Sequence, residues 1–248
     1  MKTISIINLK GGVGKTTTAI NLAEELGRAG KKVLLIDADS QHNTTDFYQY
    51  RGKNSLARVL DGSCPLKEAL VFLDNGGALI PASMELCTLD LAAISGEPKK
   101  ATELSGALQE LKNYDVCIID CPPGFTAASV AALAASDEAV IPVTVDPYSV
   151  AGLQELKKQI DSLKRVNSRL KAKALLTMVK TGDPVCVQGV EQLRRQKAVP
   201  VFKQTIRFSH KVVQAAFKRL PLRIYSPNSG AAIDYRKWAE EWMEGARL

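Results

Sequence analysis

The sequence predicts a doubly wound α/β fold, a mostly parallel sheet covered by helices on both faces. Short apolar runs of strand length recur at residues 4–8, 32–37, 116–120, 139–143 and 172–178. Segments with helical apolar spacing separate them, at 16–29, 101–111, 126–135 and 149–166. Strands that alternate with helices in this way become parallel neighbours buried on both faces. The first run also opens into a glycine-rich loop that starts a helix, a β-loop-α-β unit whose crossover is right-handed.

Each element has a local cause. Residues 4–8 are an apolar run that stops at the loop, as a buried strand does. In 16–29, Ala19, Leu22, Ala23 and Leu26 share one face, and Gly30 stops the helix. The runs at 116–120 and 139–143 are bounded by charges and proline. Residues 40–98 are less regular, with short helical pieces expected at 56–60 and 65–73. Near the end, Ala231, Tyr235, Trp238 and Trp242 form an i, i+4, i+7, i+11 stripe. The same helix carries Glu240, Glu241 and Glu244, which an anionic lipid surface would repel. The stripe is therefore expected to pack on the core, and no membrane partner is expected.

Of the 248 residues 46% are apolar, enough for one sizeable core, so a single domain over residues 1–248 is expected. No signal-peptide core is visible, and the longest uncharged run, between Asp120 and Asp137, holds two prolines and a glycine. It falls short of the ~20 apolar residues a spanning helix needs, so a cytoplasmic protein is expected. Cys64, Cys87, Cys117, Cys121 and Cys186 form no C-x-x-C pair, which disfavours a zinc site or disulfide framework. Charge is strongly polarised. Residues 1–154 hold 13 Lys/Arg against 18 Asp/Glu, whereas residues 155–248 hold 20 against 8. A chain divided in this way points its second half at a polyanion.

The chemistry sits in Lys10-Gly11-Gly12-Val13-Gly14-Lys15-Thr16-Thr17. Phosphates need closely approaching main-chain N–H groups, which bulky side chains block. Glycines give that access, and the helix N-terminus adds a favourable dipole. Lys15 is suited to the β- and γ-phosphates, and the Thr16 hydroxyl to Mg²⁺. Two apolar runs end in acids where a parallel sheet presents its ligand crevice. One is Leu34-Leu35-Ile36-Asp37-Ala38-Asp39; the other is Cys117-Ile118-Ile119-Asp120.

The K-G-G-x-G-K-T-T loop resembles the deviant Walker A loop of the ParA/MinD family of ATPases, within the P-loop NTPase fold. The resemblance covers nearly the whole chain and implies ATP and Mg²⁺ as cofactors. It implies that Lys10 reaches the partner's phosphates in an ATP-bound homodimer, a cation supplied in trans. Fingers of that kind are worth roughly 10³–10⁵ in rate. It also implies that Asp39 orients the attacking water beside the metal, and that Asp37 partners Lys15 or the metal's waters. Asp120 then looks like the Walker B acid, holding Mg²⁺ through water. The segment from Asp39 to Asn43 looks like switch I, commonly D-P-Q-G-N, with Ser40 and His42 replacing Pro and Gly. Met178 and Arg207 fall where the family approaches adenine. No N-K-x-D motif occurs, which favours ATP over GTP.

From Leu193 to Arg223 there are nine Lys/Arg and no acid. Such a run repels itself unless an anion offsets it, and DNA phosphate is the natural candidate. Within residues 155–223, Arg194, Arg195, Lys197, Lys203, Lys211, Lys218, Arg219 and Arg223 are the candidate DNA contacts. The family resemblance implies non-specific DNA binding, association with the nucleoid and a ParB-like partner that stimulates hydrolysis. No helix-turn-helix precedes the first strand, so operator reading is not expected. An ATPase that positions a protein cargo, MinD-like or of the chemoreceptor-array type, remains an alternative. So do an iron–sulfur electron-transfer ATPase and a small-molecule kinase.

Overall fold

The computed structural model describes residues 1–88 and 103–248. Its strands are β1 (Lys2–Ile6), β2 (Val33–Asp37), β3 (Val71–Phe72), β4 (Ala78–Ile80), β5 (Val116–Asp120), β6 (Glu138–Thr144) and β7 (Lys171–Thr177). They form one sheet in the order β3-β4-β2-β5-β1-β6-β7. Every neighbouring pair is parallel except β3 with β4. The helices of the first half are α1 (Lys15–Arg28), α2 (Asn43–Phe47), α3 (Leu56–Leu60), α4 (Glu103–Gln109) and α5 (Ala127–Ala135). Those of the second half are α6 (Ser149–Ser162), α7 (Pro184–Arg195), α8 (His210–Lys218), α9 (Leu222–Tyr225) and α10 (Gly230–Ala246).

The strands read as continuous apolar runs because successive side chains enter two different cores. Leu34 and Ile36 of β2, with Cys117 and Ile119 of β5, join the core beneath α3 to α7. Val33 and Leu35, with Val116 and Ile118, join the opposite core, beneath α1, α8, α9 and α10. The final helix behaves as its stripe predicts. Trp238 and Trp242 are 0% and 2% exposed, and Trp242 Nε1 donates to Glu138 at 3.1 Å. No helix among the described residues is long and apolar enough to cross a membrane.

Some boundaries differ from expectation. The helix expected at 65–73 is a 3₁₀ turn, Leu66–Ala69, followed by β3. β3 turns back on β4, a strand too short for its pattern to stand out. Of the helix expected at 101–111, residues 101 and 102 lie outside the described residues, and the rest forms α4, which ends at Gln109. The helix expected to reach 166 ends at Ser162 and tightens into a 3₁₀ turn, Leu163–Arg165.

Candidate nucleotide-binding site

The glycine-rich loop leaves the carboxyl end of β1, where α1 leads to one side of the sheet and the β5–α5–β6 crossover serves the other. That is the switch point at which open α/β sheets bind ligands. Gly12 and Gly14 adopt φ of +71° and +90°, values that a side chain would strain. Val13 is buried between them, and its carbonyl accepts the Thr177 hydroxyl at 2.9 Å, fastening the loop to the end of β7. Helices α5, α7, α8 and α10 are capped by Thr126, Asp183, Ser209 and Ser229. Helix α1, like α6, has no side-chain cap and no acid in its first turn, and it opens directly from the glycine loop. Its N-terminus is therefore suited to an anion supplied from outside the chain.

Lys15 is 7% exposed, and its Nζ curls over the loop to donate to the Lys10 carbonyl at 3.2 Å. Burial lowers its pKa, opposed by the charges of Asp120 and Asp39. The two strand-end acids lie side by side, with Asp37 opposite Asp120 in the β2–β5 register. Both are fully buried. Burial raises both pKa values, and for Asp120 the neighbouring Asp37 charge adds to the effect. Asp120 Oδ2 accepts the Thr16 and Thr44 hydroxyls, each at 2.7 Å, while its buried Oδ1 has no hydrogen-bond partner. A lone carboxylate oxygen beside a threonine hydroxyl fits a hydrated Mg²⁺ ion. No three His, Cys, Asp or Glu side chains among the described residues gather as a metal cage. Magnesium completed by phosphate and water needs no such cage.

Gly11, Gly12, Gly14, Lys15, Thr16, Thr17, Asp39 and Met178 line one cleft of about 680 Å³. Its far wall is apolar, formed by Val213 and Phe217 of α8 with Pro123. Asp39 is 6% exposed, and its Oδ1 accepts the Gln41 N–H at 2.9 Å. Asp37 does not reach Lys15. Its carboxylate accepts the Thr45 N–H and hydroxyl, both at 2.8 Å, and the Asp39 N–H at 3.1 Å. These bonds anchor the switch segment. Lys10 stands at the surface with its Nζ 2.7 Å from Asp146. His42 holds φ +46° where the family loop carries Gly, and its Nδ1 lies 3.2 Å from Asp46.

Arg207 lines a small adjoining cavity of about 70 Å³ with Gly14, Thr17 and Met178. Its guanidinium is already committed, donating from Nε and Nη2 to Asp234, each at 2.7 Å. The side chain thus holds its own segment in place beside the cavity it lines.

The basic run is also less bare than its sequence. Arg194 donates to the Lys203 carbonyl at 2.7 Å, Arg195 pairs with Glu191 at 3.3 Å, and Arg219 reaches Gln49 at 3.4 Å. Glu241 of α10 accepts the N–H groups of Lys203 and Gln204. Arg223 is half-buried, its charge acting on Glu25. Lys197, Lys203, Lys211 and Lys218 are exposed. Glu191, one helical turn before Arg195, and the more distant Asp234 beside Arg207 therefore relieve a stretch that carries no acid of its own.

Sequence reasoning missed Thr44, Thr45, Asp146 and Asp234, which hold the site's charged groups. Asp234 carried a signal, since it falls beside Tyr235 on the apolar stripe of α10. The two threonines carried none, being partners of acids in other strands.

Residues 1–172 match the model of an AAA domain family. The chromosome-partitioning ATPase Soj of Thermus thermophilus is 36% identical, over 98% of this chain and 96% of its own. The chromosome partitioning protein ParA of Caulobacter vibrioides is 30% identical, over 100% of this chain and 96% of its own. Among solved structures, a cobyrinic acid a,c-diamide synthase from Mycobacterium smegmatis with bound ADP and magnesium has a TM-score of 0.87. It is 25% identical, covering 100% of this chain and 96% of its own. A Cyanothece McdA variant in complex with ATP has a TM-score of 0.86 at 27% identity, covering 100% of this chain and 97% of its own.

Proposed function

This chain belongs to the ParA/MinD family of ATPases, and from that membership we propose that it is a ParA-type partition ATPase acting as one domain over residues 1–248. It binds Mg²⁺-ATP in the cleft, dimerises face to face and holds DNA non-specifically. Hydrolysis, stimulated by a ParB-like partner, then releases the DNA.

One observation carries this reading. The loop that exposes main-chain N–H groups, the buried Lys15 and Thr16 line one cleft, and the Thr16 hydroxyl is tied to the buried Asp120, whose other carboxylate oxygen has no partner. Gly11 to Thr17 cradle the phosphates and Lys15 neutralises them. When bound, Mg²⁺ draws charge from the phosphates, and Thr16, Asp39 and Asp120 are the groups that hold it or its waters. Asp39, which lines the cleft, orients water. Met178, beside Gly14, bounds the base. Lys10 leaves Asp146 to enter the partner's site.

The DNA surface is assigned to the exposed members of the basic run, from Arg194 to Arg219. The expected location is the cytoplasm, on the nucleoid. Fluorescence anisotropy of a duplex of arbitrary sequence, read with ATP, ADP and no nucleotide across a salt series, tests the assignment. Binding is expected with ATP alone and should weaken steeply as salt rises. Equal binding in all three states would remove the nucleotide-driven dimer from the account.

A further inference from the structure

Helix α2 is only five residues long, below the length at which a helix is stable by itself. Its position must come from ties to the rest of the chain. Two of them are consecutive threonines, both buried, that reach the two strand-end acids. Thr45 joins Asp37 and also accepts the Ala82 N–H at 2.8 Å, so it is braced on the β2–β4 side. Thr44 crosses to the neighbouring strand and donates to Asp120 Oδ2, the oxygen that also accepts Thr16 from the phosphate loop.

That shared acceptor has a geometric consequence. Two hydroxyls directed at Oδ2 fix the carboxylate's rotation and leave Oδ1 as its open lone-pair face. With one donor lost, the carboxylate can turn, and its free oxygen no longer faces a defined point. The same hydroxyl is the α2 side-chain bond to the strand that ends at the metal site. The segment from Asp39 to Asn43, which lines the cleft, leads directly into α2.

We propose that Thr44 is a positioning residue for magnesium: by donating to the Asp120 oxygen that also accepts Thr16, it orients the metal-holding carboxylate and pins the switch helix to it. The proposal rests on the Mg²⁺-ATP reading of the cleft. Thr44 touches neither metal nor nucleotide in this scheme. It acts through Asp120.

The test uses the full chain with ATP as ligand and Mg²⁺ as the titrated probe. Calorimetry gives ATP affinity across Mg²⁺ concentrations and in excess EDTA; amide exchange of residues 43–47 is followed without nucleotide. Thr44→Val keeps the shape and removes the hydroxyl. It is expected to raise the half-saturating Mg²⁺ concentration roughly tenfold, the loss of one bond to a charged group. ATP affinity in EDTA should stay at the wild-type value, and exchange in α2 should quicken. Thr44→Ser, which retains the donor, should restore both readouts, and a threonine that merely filled space would not give this pattern. Should the valine variant fail to fold, Thr44→Ala carries the same comparison. A wild-type Mg²⁺ requirement in Thr44→Val, or a serine variant that does not restore it, overturns the proposal. Wild-type protein that binds no Mg²⁺-ATP overturns the reading beneath it instead, so the two failures are distinguishable.

Discussion

The nucleotide end of the sheet and the basic flank hold their charges in opposite ways. At the sheet end, Lys15, Asp37 and Asp120 are buried, and their partners are hydroxyls, main-chain groups and one another. Along the flank, most cations stand in water, and the acids paired with them are Glu191 and Asp234 of α10. Buried charge is sensitive to any missing partner, because the interior screens little. Exposed charge is tolerant individually and acts as a sum. The first region should therefore fail abruptly on single substitutions, and the second by degrees.

The largest effect is expected from Lys15→Ala. Wild-type protein at ATP a hundredfold above its Kd gains about 2.7 kcal/mol, seen as a raised melting temperature. The alanine variant should show no rise with Mg²⁺-ATP. Retention of the rise would mean that the buried ammonium is structural.

Next comes Asp234→Ala, which tests whether the flank has one buried exception. Asp234 is 2% exposed and accepts the Arg207 N–H, Nε and Nη2 together with Gln204 Nε2. Its loss strands these donors and should cost about 3 kcal/mol in urea unfolding, discounted because Arg207 is half-exposed. A cost under about 1 kcal/mol would place the flank wholly in the tolerant class.

Reversing Arg194 and Arg195 to Glu should weaken DNA binding about tenfold or more for all sequences alike and flatten the salt slope. An unchanged slope would remove both residues from the DNA surface.

The smallest effect concerns Asp146, the acid that holds Lys10. Burial alone would raise its pKa. Lys10, the Thr144 and Ser149 hydroxyls and the Tyr148 N–H outweigh that and lower it to about 2. A depressed carboxylate stabilises the fold above its unfolded value, near 3.9, and loses that contribution as pH falls through the folded value. Wild type should therefore exceed Asp146→Asn in stability above pH about 4, by roughly 1 kcal/mol or less since Lys10 is mostly in water. The difference should shrink as pH falls from about 4 and vanish below about 2. A difference that persists there would mean the asparagine disturbs the loop in some other way.

The parts of the site that were legible in sequence are those that physics requires to be contiguous. A phosphate cradle is made from successive main-chain N–H groups, so Gly11 to Thr17 must be neighbours in the chain. The strand-end acids follow the same logic, since an apolar run must end before a charge can meet the crevice. The fold was legible because both faces of the sheet are covered, which makes each strand an unbroken apolar run. What escaped was set by pairing across distance. Thr44 meets an acid 76 residues away, Lys10 one that is 136 away, and Arg207 one that is 27 away on the last helix. β3 and β4, of two and three residues, were too short to show any period.

The anchorage of the 203–207 segment on α10 bears on biosynthesis. The phosphate loop is translated first, yet the wall beside it is held by Asp234 and Glu241, and Tyr235 meets Thr18 of the first helix at 3.2 Å. A nascent chain still lacking its closing helix carries the cradle without its flank. Whatever loosens α10 therefore loosens the wall beside the cradle as well.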